Sequence, residues 1–132
     1  MRYVIGADVA VCLASDQRRL GDEHQLVAPT LIRSQVLTLL YQAVRRGDLT
    51  GESAQRQLDY VRGLRLRLLG DRVLQNVAWR VAEQLDLPDT LDAEYIALTQ
   101  LQADALIMLD PLLARLAGTL VTVAPFEELF PS

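Results

Sequence analysis

The sequence has no lysine; all 13 of its basic residues are arginine. That absence excludes Schiff-base catalysis, a Walker-type phosphate loop and a receiver domain, each of which depends on a lysine amine. Cysteine and histidine occur once each, as Cys12 and His24. A single cysteine excludes an intramolecular disulfide, and the two residues together are too few for structural zinc of the multi-Cys/His kind. A Cys–His nucleophile would need Cys12 and His24 side by side, and nothing in the sequence links them. Long apolar runs are missing too. Arg, Asp, Gln or Gly breaks each run well short of a bilayer span, and no basic-then-apolar signal segment opens the chain. These features predict a cytoplasmic protein.

What is present is a globular balance. Of 132 residues, 51% are apolar and 23% charged, which suits one compact domain over 1–132 and is short for two. Seventeen carboxylates against 13 arginines leave a net charge of −4. Bulk charge therefore argues against nucleic-acid binding, which would need a local arginine patch or a metal ion. Any chemistry falls to the carboxylates. Arginine without lysine is also what a GC-rich genome produces.

The periodicity predicts alternating strands and helices. Residues 2–6 are a short apolar, β-branched run ended by glycine, a buried strand. Residues 8–14 suit either more strand or a short helix with Asp8 as its N-cap, and the helix is preferred because Asp is a good cap and Ala recurs; a polar loop over 15–24 follows. Leu26-Val27-Ala28 is a brief apolar step before Pro29. Helices are expected at 30–46, ended by Gly47, and at 51–63. Residues 64–69 alternate apolar and charged with the strand period. Further helices fall at 72–86, behind Asp71, and at 91–102. Ala105–Leu109 reads as a buried strand ending at Asp110, Pro111–Ala117 as a short helix, and Leu120–Val123 as a last strand. Such alternation predicts a parallel sheet with helices on both faces, the first strand central and the Asp110 strand beside it. Ligands of such sheets gather at the carboxyl ends of the strands.

Four segments stand out together: Tyr3–Val11, Ala28–Leu37, Thr90–Leu98 (with Asp-Ala-x-Tyr-x-Ala-Leu at 92–98) and Ala103–Asp110 (an apolar strand ending in Leu-Asp). Their order and spacing resemble the PIN domain, in particular the VapC-type toxins of bacterial toxin–antitoxin modules, over nearly the whole chain. The resemblance implies a three-layer α/β/α sandwich and an endoribonuclease that cuts single-stranded RNA with Mg²⁺ or Mn²⁺. It also implies an antitoxin-like protein partner, lying in a groove near the helices at 31–44 and 51–63, and a homodimer. The family gathers four acids, one each at the first strand's end, on the second helix, at the start of a later helix and at the end of a later strand. Hard divalent cations prefer such oxygen ligands, and the cation offsets the repulsion among the carboxylates.

Carried onto this chain, Asp92 and Asp110 match the two late acids. Gly6 stands where the family has its first Asp, and Gln35 where it has its Glu. Asp8 stands where the family commonly has Ser or Thr, and supplies a carboxylate bordering the same pocket. The implied catalytic set is Asp8, Asp92 and Asp110, with Gln35 as a further metal ligand and Arg33 as an RNA contact. Each residue also has an ordinary structural role open to it. Asp8, Asp92 and Asp110 suit helix N-caps, Gln35 suits a satisfied polar position, and Arg33, Arg45, Arg46, Arg62, Arg65 and Arg67 suit a solvated face. Glu94 falls about 200° around the helix from Asp92 and is expected on the surface. His24 is expected in an exposed loop, Cys12 in the core, and Trp79 in the core or a dimer surface. With two acids replaced, a second function stays open: a PIN domain without catalysis that binds an antitoxin or RNA. A purely structural dimer module is a third.

Overall fold

Arg2–Ile5 forms strand β1 of a computed structural model that describes residues 1–131. Its neighbours are β2 (Gln25–Pro29), β3 (Leu66–Leu69) and β4 (Ala105–Ile107), in the order β3-β2-β1-β4, all parallel. Tyr3 and Val4 pair with Leu26 and Val27 on one side, and with Ala105 and Leu106 on the other. Val4, Ile5, Ala28, Leu106 and Ile107 are fully buried, as a parallel sheet covered on both faces requires. Helices α1 (Ala7–Asp16), α2 (Ile32–Arg45) and α3 (Gly51–Gly63) pack on one another. Helices α4 (Arg72–Leu85) and α5 (Leu91–Gln102) form a second group, with α5 lying on β1, β2 and β4. A short α6 (Pro111–Ala117) follows β4. The result is the expected α/β/α sandwich.

The helix starts follow from local chemistry. Thr50 Oγ1 accepts the Ser53 N–H at 3.1 Å, and Asp71 Oδ1 accepts that of Leu74 at 2.8 Å. Caps of this kind contribute about 1 kcal/mol each. In α4 the stripe Leu74, Ala78, Val81 and Ala82 is buried, while Trp79 on the opposite side is 65% exposed and is not core.

Five expectations change. The apolar step at 26–28 is the inner strand β2. Three apolar residues before a proline are too few to signal a strand, but Pro29 sits at its last position, beyond Val27, where the pairing with β1 ends. The strand expected at 120–123 reduces to a single parallel bridge between Leu106 and Val123. Helix α1 begins one residue before Asp8, with Gly6 as its N-cap and no side-chain cap, so Asp8 is not a cap. His24 is not exposed: its ring stacks edge-on against Tyr3 at 5.1 Å, and Cys12 is only half-buried.

Candidate active site

The chain turns from β1 directly into α1 at Gly6, and from β4 into α6 at Asp110. Both turns lie at the carboxyl ends of neighbouring strands, the inner β1 and the outer β4, where the first turn of α5 and one face of α2 also converge. Between them lies a cleft of about 510 Å³, whose lining includes Gly6, Asp8, Gln35, Asp92, Tyr95 and Asp110. Four residues singled out from the sequence thus come together from four different helices or their caps. Arg33 does not join them. It is exposed and lines a separate groove of about 460 Å³ between α2, α3 and β3, together with Arg62.

Each carboxylate sits at the start of a helix, where the partial positive charge of the backbone favours an anion. Their commitments differ. Asp8 Oδ1 accepts the N–H of Val9 at 2.8 Å, and its Oδ2 accepts that of Leu109 at 3.0 Å. The second bond ties α1 to the turn that carries Asp110. Asp110 Oδ1 accepts the N–H groups of Leu112 and Leu113, at 3.0 and 3.2 Å, so it does cap α6. Asp92 is not a cap. Thr90 holds that position, Asp89 Oδ1 accepts the Leu91 N–H, and the Asp92 carboxylate makes no hydrogen bond among the described residues. Burial raises the Asp92 carboxyl above its ordinary value, and the charges of Asp89, Asp110 and Asp8 add to the rise. Asp92 therefore feels the charge of both Asp8 and Asp110 across the cleft.

Gln35, half-buried on α2, accepts a hydrogen bond at Oε1 from the hydroxyl of Tyr95. Tyr95 is buried, and its ionisation is pushed upward mainly by burial and then by Asp8, Asp92 and Glu94. It is a neutral donor. Its place in the cleft was readable in principle, since Tyr95 follows Asp92 by three residues and shares its helix face. Glu94 lies away from the cleft, as its angular position on α5 predicts, but it is half-buried in a depression beside Trp79 and Arg80 and not on the open surface.

The donor set suits a hard divalent cation in kind. It offers carboxylate oxygens, and Mg²⁺ is commonly held by one or two carboxylates with several waters retained. In number it falls short of a closed cage. Among the described residues no three His, Cys, Asp or Glu side chains form a group placed to hold one ion. Among the described residues Asp92, which accepts no hydrogen bond, and Asp110, whose Oδ2 accepts none, are the cleft carboxylates with most capacity left.

No family model matches the sequence, and no curated protein matches it. Its fold is nonetheless shared with solved structures. The crystal structure of PAE2754 from Pyrobaculum aerophilum matches with a TM-score of 0.75 at 21% identity, over 98% of this chain and 92% of that one. The structure of VapBC2 from Rickettsia felis, bound to a DNA fragment from their promoter, matches with a TM-score of 0.63 at 13% identity, over 95% of this chain and 98% of that one. At such identities the likeness defines the fold, and the fold is PIN-like. None of the described helices is long and apolar enough to cross a membrane.

Proposed function

We propose that this chain, as one PIN-like domain over 1–132, is a VapC-like toxin component that cuts single-stranded RNA with Mg²⁺ or Mn²⁺ in the cytoplasm. The observation that supports this reading is the convergence of Asp8, Asp92 and Asp110 on one cleft at the carboxyl ends of β1 and β4. Asp92 and Asp110 would hold the ion, with Asp8 beside them. A bound divalent ion would supply an acidified water and neutralise charge at the scissile phosphate. Asp8 also holds the 108–110 turn through the Leu109 N–H, which orients Asp110. The groove between α2 and α3, apolar on its floor and bordered by Arg33 and Arg62, suits an antitoxin-like segment carrying acidic and apolar side chains. A homodimer is part of the same reading.

The test is RNA cleavage by the purified chain with Mn²⁺, compared with Asp92→Asn. Metal-dependent cutting lost in the variant supports the enzyme. Equal cutting by both proteins removes Asp92 from the chemistry. One observation favours a second reading. Gly6 and Gln35 carry no charge, so the cleft has fewer anionic ligands than a full acidic set. A folded, Mn²⁺-loaded protein that leaves RNA intact would be a catalytically degenerate PIN domain that binds an antitoxin or RNA.

A further inference from the structure

Trp79 is the chain's sole tryptophan, and it stands 65% exposed on the outer side of α4, opposite the buried stripe. Tryptophan is enriched among the residues that dominate binding between proteins. Beside it α4 and α5 enclose a depression of about 760 Å³, whose lining includes Asn76, Trp79, Arg80, Thr90 and Glu94. Arg80 and Glu94 share this depression, yet neither makes an ion pair or a side-chain hydrogen bond among the described residues. Glu94 is half-buried, burial raises its carboxyl above the ordinary value, and no nearby cation offsets the rise. One copy of the chain thus leaves three groups unused on one face: an indole, a guanidinium and a partly desolvated carboxylate. Their pattern selects the partner. A polyanion laid on this face would meet Glu94, and a basic segment would meet Arg80. A surface bearing the same two charges in reversed order meets neither objection. A twofold axis supplies such a surface from the chain itself, because every contact of residue i with j is repeated as j with i.

We propose that two copies of this chain pair through the α4–α5 face centred on Trp79, each indole entering the other copy's depression and each Arg80 reaching the partner's Glu94. The proposal rests on the homodimer in the reading above and adds its face and its pairing. Contact here also clamps the start of α5. Thr90 lines the depression, and the next two residues, Leu91 and Asp92, line the cleft. Two indoles bury at most about 300–500 Å², a fraction of the ~1,200–2,000 Å² of a stable interface. The pair therefore forms and parts with concentration.

The experiment uses the full chain alone. Sedimentation velocity gives its oligomeric state from roughly 1 μM to 1 mM, the range in which weak pairs dissociate. Trp79 is the only indole, so its emission and its quenching by acrylamide report on this face. We expect the emission to move to the blue and the quenching to fall in step with the dimer fraction. Trp79→Ala should weaken pairing about thirtyfold or more, the loss of a central anchor. Arg80→Glu and Glu94→Arg should each weaken it at least about tenfold, because like charges then face each other. The equimolar mixture of those two variants decides the matter. Each pairs poorly with itself, but in the mixed pair every contact is again between opposite charges, so affinity should return toward that of the wild type. A role of either residue inside one copy cannot produce that recovery. Circular dichroism checks that each variant is folded, and if Glu94→Arg is not, Trp79→Ala and Arg80→Glu decide alone. If the chain dimerises while Trp79 keeps the emission and quenching of the monomer, or if folded variants in mixture recover nothing, the proposal is overturned and the homodimer reading survives. If the chain stays monomeric throughout, both fall. Quenching of that monomer by an added single-stranded oligoribonucleotide would give the face to RNA instead.

Discussion

A Cβ built on Gly6 would lie 2.6 Å from Oδ1 of Asp8. The backbone at Gly6, with φ −74° and ψ 163°, is extended and open to any residue. Glycine is therefore not demanded by the chain's own geometry. What opposes a side chain here is the carboxylate two residues on, whose Oδ1 would have to swing aside and give up its hydrogen bond from the Val9 N–H. Asp8 and an acid at position 6 are alternatives. We expect Gly6→Asp alone to destabilise the fold by about 1–3 kcal/mol, the cost of overpacking a filled site, with like-charge repulsion added. Gly6→Asp/Asp8→Ser should recover most of that loss in urea denaturation. Restoring a full acidic set then requires three changes, with Gln35→Glu as the third. A single Gly6→Asp variant as stable as the wild type would contradict this account.

The Tyr95–Gln35 bond makes a second prediction. Gln35→Glu keeps an acceptor for the Tyr95 hydroxyl and should fold normally. Gln35→Leu leaves a buried hydroxyl without a partner, which costs about 1–3 kcal/mol. Adding Tyr95→Phe removes the orphaned group, so the double variant should lose less than the sum of the two single losses. A double-mutant cycle in urea measures this directly. Simple additivity would mean that the bond contributes nothing to stability.

The legibility of this chain in its sequence divides by physical cause. Helices α3, α4, α5 and α6 were readable almost to the residue because a cap or a proline marks each start: Thr50, Asp71, Thr90 and Pro111. Strand β2 was not readable, because its apolar core is three residues long and its identity as a strand comes from pairing with β1 and β3. The gathering of Asp8, Gln35, Asp92 and Asp110 was legible only through the resemblance of the four segments to the PIN family, and the cleft is lined by all four. Arg33 went elsewhere because it is two residues from Gln35 on a helix, roughly 200° around the axis. The Gly6–Asp8 exclusion and the Tyr95–Gln35 bond depend on side-chain distances that no periodicity encodes.

Alkaline pH supplies a third prediction, at the end of β1 away from the cleft. The hydroxyl of buried Tyr3 donates to Glu128 Oε2 at 2.6 Å, fastening the C-terminal turn Phe126–Leu129 to the sheet. The bond to Glu128, followed by burial, pushes the Tyr3 phenol up to about 12 from 10.0. Between those values the unfolded chain ionises Tyr3 first, so it binds fewer protons than the folded chain, and stability falls as pH rises. The contribution is complete below pH 10 and lost through about 12. Tyr3→Phe, lacking both the bond and the titration, should be less stable by about 1–2 kcal/mol below pH 10. That gap should narrow as pH climbs from 10 to 12 in parallel denaturation curves. A gap constant with pH would remove the Glu128 bond as the cause.

Asp110 carries two roles that one pair of substitutions separates. Its Oδ1 caps α6 through Leu112 and Leu113, and its Oδ2 accepts no hydrogen bond from a described residue. Asparagine caps a helix about as well as aspartate, whereas alanine gives up about 1 kcal/mol. Asp110→Asn should therefore melt within about 0.5 kcal/mol of the wild type, and Asp110→Ala about 1 kcal/mol below it. If the residue also serves as a ligand, the two variants lose Mn²⁺ affinity together, because both lack the anionic charge on which a hard cation depends. Calorimetric titration with Mn²⁺ reads that loss independently of RNA cleavage. Neutralising Asp110 should also move the Asp92 carboxyl part of the way back toward its ordinary value in an NMR titration. It should not move it fully, because burial is the larger cause of the rise. If Asp110→Asn binds Mn²⁺ as the wild type does while Asp110→Ala differs only in stability, Asp110 is a helix cap and nothing more, and the metal reading of the cleft loses one of its two least committed carboxylates.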